Sequence, residues 1–518
     1  MRLDTVTAGG AGNRTPILVG LMLAMGLTAM DGTIVATAIP TIVHDLGGFS
    51  LFPWVFSLYL LAQAVTVPVY GKLADLYGRK PVLMFGASLF LLGSVLSGLS
   101  WAMVPLVVFR GLQGLGAGAI VPVATTVVGD LYSVEERARI QGYLSSVWGI
   151  SAILGPAVGG ILVQYASWHW IFYINLPLGA VALWVVETRL HETVEPRRHR
   201  IDFTGSALLL AGMVLVILDL LEGGVAWAWL STPSLLILGG GIGLLLLFVG
   251  VESRAPEPVL PLWVFGRRLL VGANLGSLIV GLLSIGLSSF LPTFVQGVQG
   301  ATPVVAGFAL AAMSIGWPLA SSQAGRLYLR VGFQRTALLG GVLTVAAAVL
   351  FVSLGLFSTP WEAAGSSFVM GSGLGLMSTA LIVAVQSSVD WGRRGVVTGA
   401  NMFTRNLGSS VGAAIYGSVL NGRLQARLAA APPAIRHQLP RGLNAATLSL
   451  GAPVRAASAV TGFVRRALEL SMHDVFLGIL GAAVLGIGLV SIMPRTFHLA
   501  DDDAGSRRQE AAGGSLRS

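Results

Sequence analysis

Long apolar runs separated by short polar connections constrain this chain more than any other feature. A helix needs about 20 predominantly apolar residues to cross the hydrocarbon core of a bilayer. Backbone groups in lipid must be satisfied within the segment, so runs of this length are expected to be helices. The fourteen predicted spans are 16–39, 54–70, 82–99, 103–123, 142–163, 170–186, 205–221, 233–251, 269–294, 304–320, 336–357, 363–385, 396–420 and 475–492.

The composition agrees with an all-α polytopic membrane protein. Of the 518 residues, 54% are hydrophobic and 11% are charged, whereas soluble chains carry about 25% charged residues. The net charge of +9 comes mostly from connections between apolar runs, so it does not predict a nucleic-acid partner. The chain has no cysteine, which excludes disulfides, cysteine metal ligands and thiol chemistry.

The connections between spans predict the orientation of the chain. Those around Lys72, Arg326 and Arg393 lie on one side, and the short opposite connections carry almost no cations. Positive charge retains connections in the cytoplasm, so this asymmetry and the even number of spans place both termini there. The expected location is the inner or plasma membrane of the cell, with multiple passes.

The chain contains an internal repeat. A charged decapeptide at 71–80 has a degenerate copy at 325–335, with its glycines recurring 254 positions later. Glycines of the fifth span recur 253 positions later in the thirteenth. Such self-similarity predicts two related six-helix halves, here with two helices inserted between them. The recurring glycines are Gly142, Gly155 and Gly159, matched by Gly395, Gly408 and Gly412.

The spans and the repeat together predict five regions. The connection between the last two predicted spans, 421–474, is rich in arginine and is expected on the outer side. Long loops determine topology only weakly, so these cations do not contradict that placement. The apolar spacing near the end of this connection predicts an amphipathic helix. The regions are a cytoplasmic N-terminus (1–15), an N-terminal six-helix bundle (16–188), two inserted helices with flanking cytoplasmic loops (189–268), a C-terminal six-helix bundle (269–493) with a long extracellular loop (421–474), and a disordered cytoplasmic tail (494–518).

Two charged residues lie inside predicted spans of the first half. Asp31 is in the middle of the first span, and Arg110 is in the fourth. A charge at mid-membrane costs about 2.5–3.5 kcal/mol on insertion scales, so such residues are functional candidates by default. A carboxyl group there can exchange a proton, and a nearby cation would bias that exchange. The alternative is structural, with Asp31 hydrogen-bonded and inert and Arg110 extending to the interface.

The decapeptide predicts a tight, charged turn between two spans. Gly71 and Gly78 permit close approach and unusual backbone angles. Asp75 can accept from a helix N-terminus or pair with Arg79, and Lys80 adds a further cation.

Three stretches resemble the major facilitator superfamily of secondary transporters. The segment 71–80 is similar to its G-x-L-a-D-r-x-G-R-[KR] loop between helices 2 and 3. The run from Asp31 resembles the D-x-T-I-V-x-x-A-x-P signature of its fourteen-helix drug:proton antiporters, with Thr37 where many members have another small residue. The fifth span resembles the G-P-x-x-G-G exporter motif through Gly149, Gly155, Pro156, Gly159 and Gly160.

The resemblance implies a fold and roles for these residues. Two six-helix bundles plus two peripheral inserted helices would rock about a central cavity. Asp31 and Arg110 would couple proton movement to transport, and the fifth-span motif would mark an exporter. Asp75 would lock the cytoplasmic side in the outward-facing state. Leu329 replaces Asp75 in the second copy of the loop, so only the first copy is expected to act as a latch.

Three further polar residues are candidates for a polar cavity. Gln113 is near Arg110 in the fourth span, Arg405 is in the thirteenth, and Asp219 is in the seventh. Asp219 is interpreted mainly as structural because inserted helices are peripheral in the family. For Arg405, a transport role and a structural role both stay open.

The sequence therefore predicts proton-coupled efflux of hydrophobic or cationic drugs and toxic compounds. Export of an endogenous lipid or metabolite is one alternative, and a non-transporting sensor or scaffold is another, against which the buried charges argue. Without a phosphate-binding loop, metal-ligand cluster or nucleophile motif, we expect no cofactor, no metal, no ATP site and no enzyme activity. The expected partners are a small hydrophobic substrate, protons and membrane lipids. The outer loop is a candidate site for an envelope protein, and the chain is expected to be a monomer.

Overall fold

The computed structural model describes residues 5–8, 14–47, 51–193, 202–223, 227–256, 258, 260–436 and 458–496. This part of the chain is almost entirely α-helical. Twelve of its helices are long and apolar enough to cross a membrane. The predicted all-α polytopic fold is confirmed.

The first bundle contains the helices of the first six predicted spans. They are α1 (Arg14–Leu46), α2 (Phe52–Tyr77), α3 (Arg79–Gly98), α4 (Met103–Leu131), α5 (Val134–Tyr165), α6 (Trp170–Tyr173) and α7 (Asn175–Arg189). α1 packs against α5 and α7, and α4 packs against α2 and α3. Gly78 has a φ of 99° between α2 and α3, a backbone angle that favours glycine.

Two inserted helices form a hairpin after the first bundle. They are α8 (Phe203–Glu222) and α9 (Thr232–Glu252), which pack against each other. A short antiparallel ribbon precedes them, in which β1 (Thr5–Ala8) pairs with β2 (Leu190–Thr193). The sequence analysis did not predict this ribbon.

The second bundle repeats the packing of the first. Its helices are α10 (Arg268–Gly297), α11 (Pro303–Val331), α12 (Phe333–Ser353), α13 (Pro360–Ser387), α14 (Arg394–Ala429), α15 (Pro433–Arg436) and α16 (Ser458–Val490). α10 packs against α14 and α16, and α13 packs against α11 and α12. Gly332, with a φ of 91°, joins α11 to α12 as Gly78 joins α2 to α3.

Two predicted spans are not among the twelve helices with clear membrane-spanning character. The seventh is a shorter apolar helix, Thr204–Leu220. The thirteenth is α14, a 36-residue helix that carries several polar and charged residues. Both are helical where the sequence predicts spans, and the count of fourteen stays a prediction for these two.

The bundles meet along two lines of contact, which we call seams. One seam joins α2 to α14 and the other joins α5 to α11. A Cβ on Gly71 would lie 2.6 Å from the carbonyl oxygen of Gly395, and one on Gly142 would lie 3.0 Å from that of Pro318. Glycine therefore permits direct backbone contact at both seams. The inserted α8 contacts both α2 and α14, so the hairpin lies over the first seam.

Both ends of the predicted outer loop are helical. α14 continues to Ala429, and α16 begins at Ser458. Arg427 on α14 pairs with Asp474 on α16 at 2.8 Å, which joins the two extensions. Leu468 is buried, in agreement with an amphipathic helix near the end of this region. Residues 437–457 and the tail from 497 lie outside the described residues.

Candidate functional site

Asp31 and Arg110 form a fully buried ion pair inside the first bundle. Arg110 Nη1 donates to Asp31 Oδ2 at 2.5 Å, and both side chains have no exposed surface. Gln113 lies one turn after Arg110 and bridges the pair. Its Oε1 accepts from Arg110 Nη1 at 2.7 Å, and its Nε2 donates to Asp31 Oδ1 at 2.9 Å. Gln113 therefore supplies a polar partner to each charge of the pair, as a charge inside a membrane requires.

Further polar groups complete this arrangement, which we call the Asp31 cluster (Asp31, Ser94, Arg110, Gln113 and Asn175). Asn175 Nδ2 donates to Ser94 Oγ at 3.0 Å and approaches Asp31 Oδ1 at 3.4 Å. The Arg110 guanidinium also lies 4.1 Å from the centre of the Tyr59 ring. The cluster thus joins α1, α3, α4 and α7, so a change of charge on Asp31 acts on four helices of one bundle.

Asp75 fastens α2 to the beginning of α14 across the first seam. Its carboxylate oxygens accept from the backbone N–H groups of Gly395 at 2.8 Å and Val396 at 2.7 Å. These N–H groups have no partner within their own helix, and the helix dipole favours an anion beside them. Asp75 also pairs with Arg79 at 3.0 Å.

A second layer of charge surrounds this contact. Arg79 Nε donates to Asp130 Oδ2 at 3.0 Å, and Arg394 Nη1 donates to Asp130 Oδ1 at 3.1 Å. The Arg79 guanidinium stacks 3.6 Å from the centre of the Trp391 ring and donates to its carbonyl oxygen at 2.5 Å. We call these residues the latch (Asp75, Arg79, Asp130, Trp391 and Arg394). It joins the two bundles through buried charges of opposite sign.

Two acids outside the decapeptide, Glu192 and Glu187, contact its last residues beside the latch. Glu192 on β2 accepts from the backbone N–H groups of Arg79 and Lys80, both at 2.9 Å, and so caps the start of α3. Burial raises the pKa of the Glu192 carboxyl, and the two N–H donors oppose that rise. Lys80 Nζ pairs with the exposed Glu187 at 3.2 Å, a surface contact of small energetic weight.

Other contacts close the molecule at the latch end. Arg137 Nη1 donates to Ser387 Oγ at 2.9 Å, and Gln386 Nε2 donates to the carbonyl oxygen of Thr125 at 3.2 Å. The main apolar core contains residues of both bundles. A separate apolar cluster around Ile34 and Trp168, toward the opposite end, consists of first-bundle residues alone.

The glycines of the fifth-span motif occupy different positions on α5. A Cβ on Gly149 would lie 3.0 Å from the carbonyl oxygen of Ser314 on α11, so this glycine lies in the second seam. Gly155 contacts Thr33 on α1, two residues after Asp31. Gly159 is buried, whereas Gly160 is exposed with open space around it. The side chain of Pro156 lies outside the described set.

The three candidates for a polar cavity have separate surroundings. Gln113 belongs to the Asp31 cluster. Asp219 is buried in the inserted hairpin, where Trp227 Nε1 donates to it at 2.9 Å and Ser234 Oγ at 3.2 Å. Arg405 lies on α14 in the second bundle. A cavity shared by these three residues stays a prediction.

Several site residues were missed by the sequence analysis. Asp130 lies seven residues beyond the end of the predicted fourth span, and Arg394 was one of the cations of the connection around Arg393. Asn175 lies inside the predicted sixth span and was not a candidate. Among the described residues, no group of three or more acidic or histidine side chains could hold a metal ion.

Comparison with known proteins agrees with this architecture. The model of the Major Facilitator Superfamily matches residues 21–413. The multidrug transporter protein MdtP of Bacillus subtilis is 35% identical over 415 residues, covering 80% of this chain and 77% of that protein. Multidrug resistance protein 3 of Bacillus subtilis is 36% identical over 426 residues, covering 80% and 81%.

The crystal structure of the human organic anion transporter MFSD10 has a TM-score of 0.59 to this chain at 15% identity, covering 92% of this chain and 98% of that one. That likeness shows the fold alone. The family match spans most of the chain, and the two bacterial relatives match over most of their lengths. The chain therefore belongs to the Major Facilitator Superfamily and is a multi-pass membrane transporter rather than an enzyme.

Proposed function

We propose that this transporter exports hydrophobic small molecules across the cell membrane in exchange for protons. The buried ion pair between Asp31 and Arg110 carries this proposal, because an acid that can lose its charge in the membrane is a proton carrier. The names of the two Bacillus subtilis relatives support multidrug export. The energy comes from the proton gradient, without a cofactor.

Protonation of Asp31 is the event that couples the proton to the protein. A neutral carboxyl loses its Coulomb attraction to Arg110 and leaves a buried cation poorly compensated, which costs about 3–5 kcal/mol for such pairs. The four helices joined by the Asp31 cluster then favour a different arrangement. A ligand shifts an equilibrium only through differential affinity for its states, and this carboxyl supplies that difference.

The latch holds the two bundles together at one end of the molecule. If both termini are cytoplasmic, as the positive charge of the connections predicts, the latch end faces the cytoplasm. The closed latch then supports assignment to the outward-facing state. Return to the inward-facing state requires Asp75 to leave the N-terminus of α14. The fifth-span glycines let α5 slide against α1 and α11 during that change.

Efflux from inverted membrane vesicles tests the proposal. Two dyes are followed, the lipophilic cation ethidium and the uncharged Nile red, in wild type, Asp31→Asn and the control Glu362→Gln. Glu362 is an exposed acid at the start of α13. We expect gradient-driven transport of at least one dye in wild type and control, its collapse with an uncoupler, and its loss in Asp31→Asn.

The other outcomes separate the alternatives. Coupled transport that survives in Asp31→Asn would place the proton site elsewhere. A wild type that moves neither dye would favour export of an endogenous lipid or metabolite. If neither a dye nor a membrane lipid extract dissipates the proton gradient, the non-transporting scaffold becomes the better interpretation.

A further inference from the structure

Arg405 differs from the buried arginines of the bundles because its guanidinium has no partner among the described residues. Arg79, Arg110 and Arg394 each pair with an aspartate. Within the described part of the chain, the guanidinium of Arg405 makes no hydrogen bond or ion pair, although its side chain is only partly exposed. A charge inside a membrane protein needs a counter-charge or water, so this cation requires an anion or water in addition to the described residues.

The predicted thirteenth span, 396–420, places Arg405 close to the middle of the membrane. Arg405 follows Arg394, the first residue of α14, by eleven positions. At a rise of about 1.5 Å per residue, this places it roughly 16 Å along a helix that crosses a hydrocarbon core about 30 Å thick. Transporters of this architecture bind their substrates near the midplane, where the repeats meet.

Helical periodicity places Arg405 on the side of α14 that faces the space between the bundles. Gly395 and Gly399 contact α2, and Gly408 and Gly412 contact α10. At about 100° per residue, Arg405 falls between these two faces. Ser418, which accepts from Trp229 of the inserted hairpin, lies nearly opposite. Arg405 therefore points into the wedge between α10 of one bundle and α2 of the other.

The base of this side chain is fixed. A Cβ on Gly281 of α10 would collide with the carbonyl oxygen of Arg405, so the two backbones touch. Ser409 Oγ donates to the carbonyl oxygen of Gly281 at 3.2 Å and reaches that of Arg405 at 3.3 Å. A cation on a rigid base binds with a smaller loss of conformational entropy.

The second bundle contains no acid that could neutralise Arg405 at this depth. α10, α11 and α12 contain no aspartate or glutamate, and the acid of α13 is Glu362 in its first turn. Glu469 and Asp474, near the outer end of α16, pair with Arg466 and Arg427. In the first bundle, Asp31 is committed to Arg110.

We propose that Arg405 binds the carboxylate of an amphipathic organic acid, and that such acids are among the hydrophobic compounds that the transporter carries. The head group would lie in the wedge between α10 and α2, and the apolar body would contact the surrounding helices. The inference rests on the proposed function, since it names the substrate class of that site. It adds compounds with a negative charge to the hydrophobic or cationic drugs expected from the sequence.

The first bundle offers no equivalent of this site. The repeat offset of 253 positions matches Arg405 to Ala152, an exposed residue of α5. The anion site is therefore single, and it belongs to the half that lacks a buried ion pair in its central turns.

Binding to the full-length protein in nanodiscs tests this inference without any proton gradient. The probes are dansylaminoundecanoic acid and its uncharged methyl ester, in gluconate buffer. The variants are Arg405→Gln, Arg405→Lys and the control Arg330→Gln, which removes an exposed arginine at the end of α11. We expect Arg405→Gln to weaken binding of the acid about 10-fold or more and to leave binding of the ester unchanged. Arg405→Lys should restore most of the loss, and Arg330→Gln should resemble wild type.

Three outcomes would overturn the inference. Equal losses for acid and ester would show that Arg405 is structural. An unchanged affinity for the acid would show that it does not contact the head group. Loss of the preference for the acid when chloride replaces gluconate would assign the site to an inorganic ion. Failure of proton-coupled efflux alone would leave this binding result standing, so the two proposals can fail separately.

Discussion

The two copies of the charged loop have the same backbone geometry and different chemistry. Gly78 and Gly332 adopt φ values of 99° and 91° between consecutive helices. In the first copy, Asp75 accepts from α14 and pairs with Arg79. In the second, the matching residue is Leu329, which is 51% exposed. Glycine thus preserves the turn in both copies, while the charged contact between bundles exists in one.

The reason lies in where the opposing helix begins. α14 starts at Arg394, so the N–H groups of Gly395 and Val396 are free to bind Asp75. The repeat matches Gly395 to Gly142, which lies eight residues inside α5, where N–H groups bond within the helix. An acid in the second copy would therefore have no helix N-terminus opposite to it. A latch needs both an acid in the loop and the start of a helix in the opposite bundle at the matching position.

The largest effect is expected when Asp75 is replaced by the residue of the second copy. Asp75→Leu removes the acceptor for two N–H groups and one partner of Arg79. Breaking a buried pair costs about 3–5 kcal/mol, which corresponds to a shift of about 100-fold or more toward opening of the latch end. Spin labels on Thr188→Cys and Arg330→Cys, two exposed positions in a chain without native cysteine, would show a longer distance by electron paramagnetic resonance.

The matched control for this experiment is Lys72→Gln. Lys72 is in the same segment and has no partner among the described residues. It should give the wild-type distance distribution. An unchanged distance in Asp75→Leu would contradict the assignment of the latch as the main contact between bundles.

An intermediate effect is expected when the backbone contact at the first seam is blocked. Gly71→Ala would place a Cβ 2.6 Å from the carbonyl oxygen of Gly395, and such overpacking costs about 1–3 kcal/mol. The same label pair should show a partial shift toward opening. Gly417→Ala on α14, where a Cβ meets open space, should not shift the distance. Equal behaviour of the two variants would argue that glycine is not needed for closure.

The smallest effect is expected when an acid is introduced into the second copy. Leu329→Asp restores the residue but not the helix N-terminus opposite to it, so the labelled distances and dye efflux should stay within error of wild type. A marked stabilisation of the closed latch end would show that the second seam can form a latch and would refute the explanation by register.

The fold was largely predictable from the sequence, because apolar runs, glycine spacing and positive charge are local signals. The 71–80 segment likewise predicted that Asp75 would accept from a helix N-terminus or pair with Arg79. The further partners of Arg79 were not predictable, since Asp130 and Trp391 contact Arg79 only because helices distant in sequence pack together. Of the two helical ends of the predicted outer loop, apolar spacing indicated the one near Leu468, whereas the polar extension to Ala429 carried no such signal. Arg405 was visible as a charge, but its lack of a counter-charge is a property of the packed structure.

The inserted hairpin removes the lateral symmetry that the repeat would otherwise give the transporter. α8 contacts α2 of one bundle and α14 of the other, so relative rotation of the bundles must shear at least one of these contacts. The seam between α5 and α11 has no such cover within the described residues. The two seams therefore differ in their resistance to rotation and in their exposure to hydrocarbon. A compound dissolved in the bilayer can reach the seam between α5 and α11, whereas the hairpin covers the seam between α2 and α14.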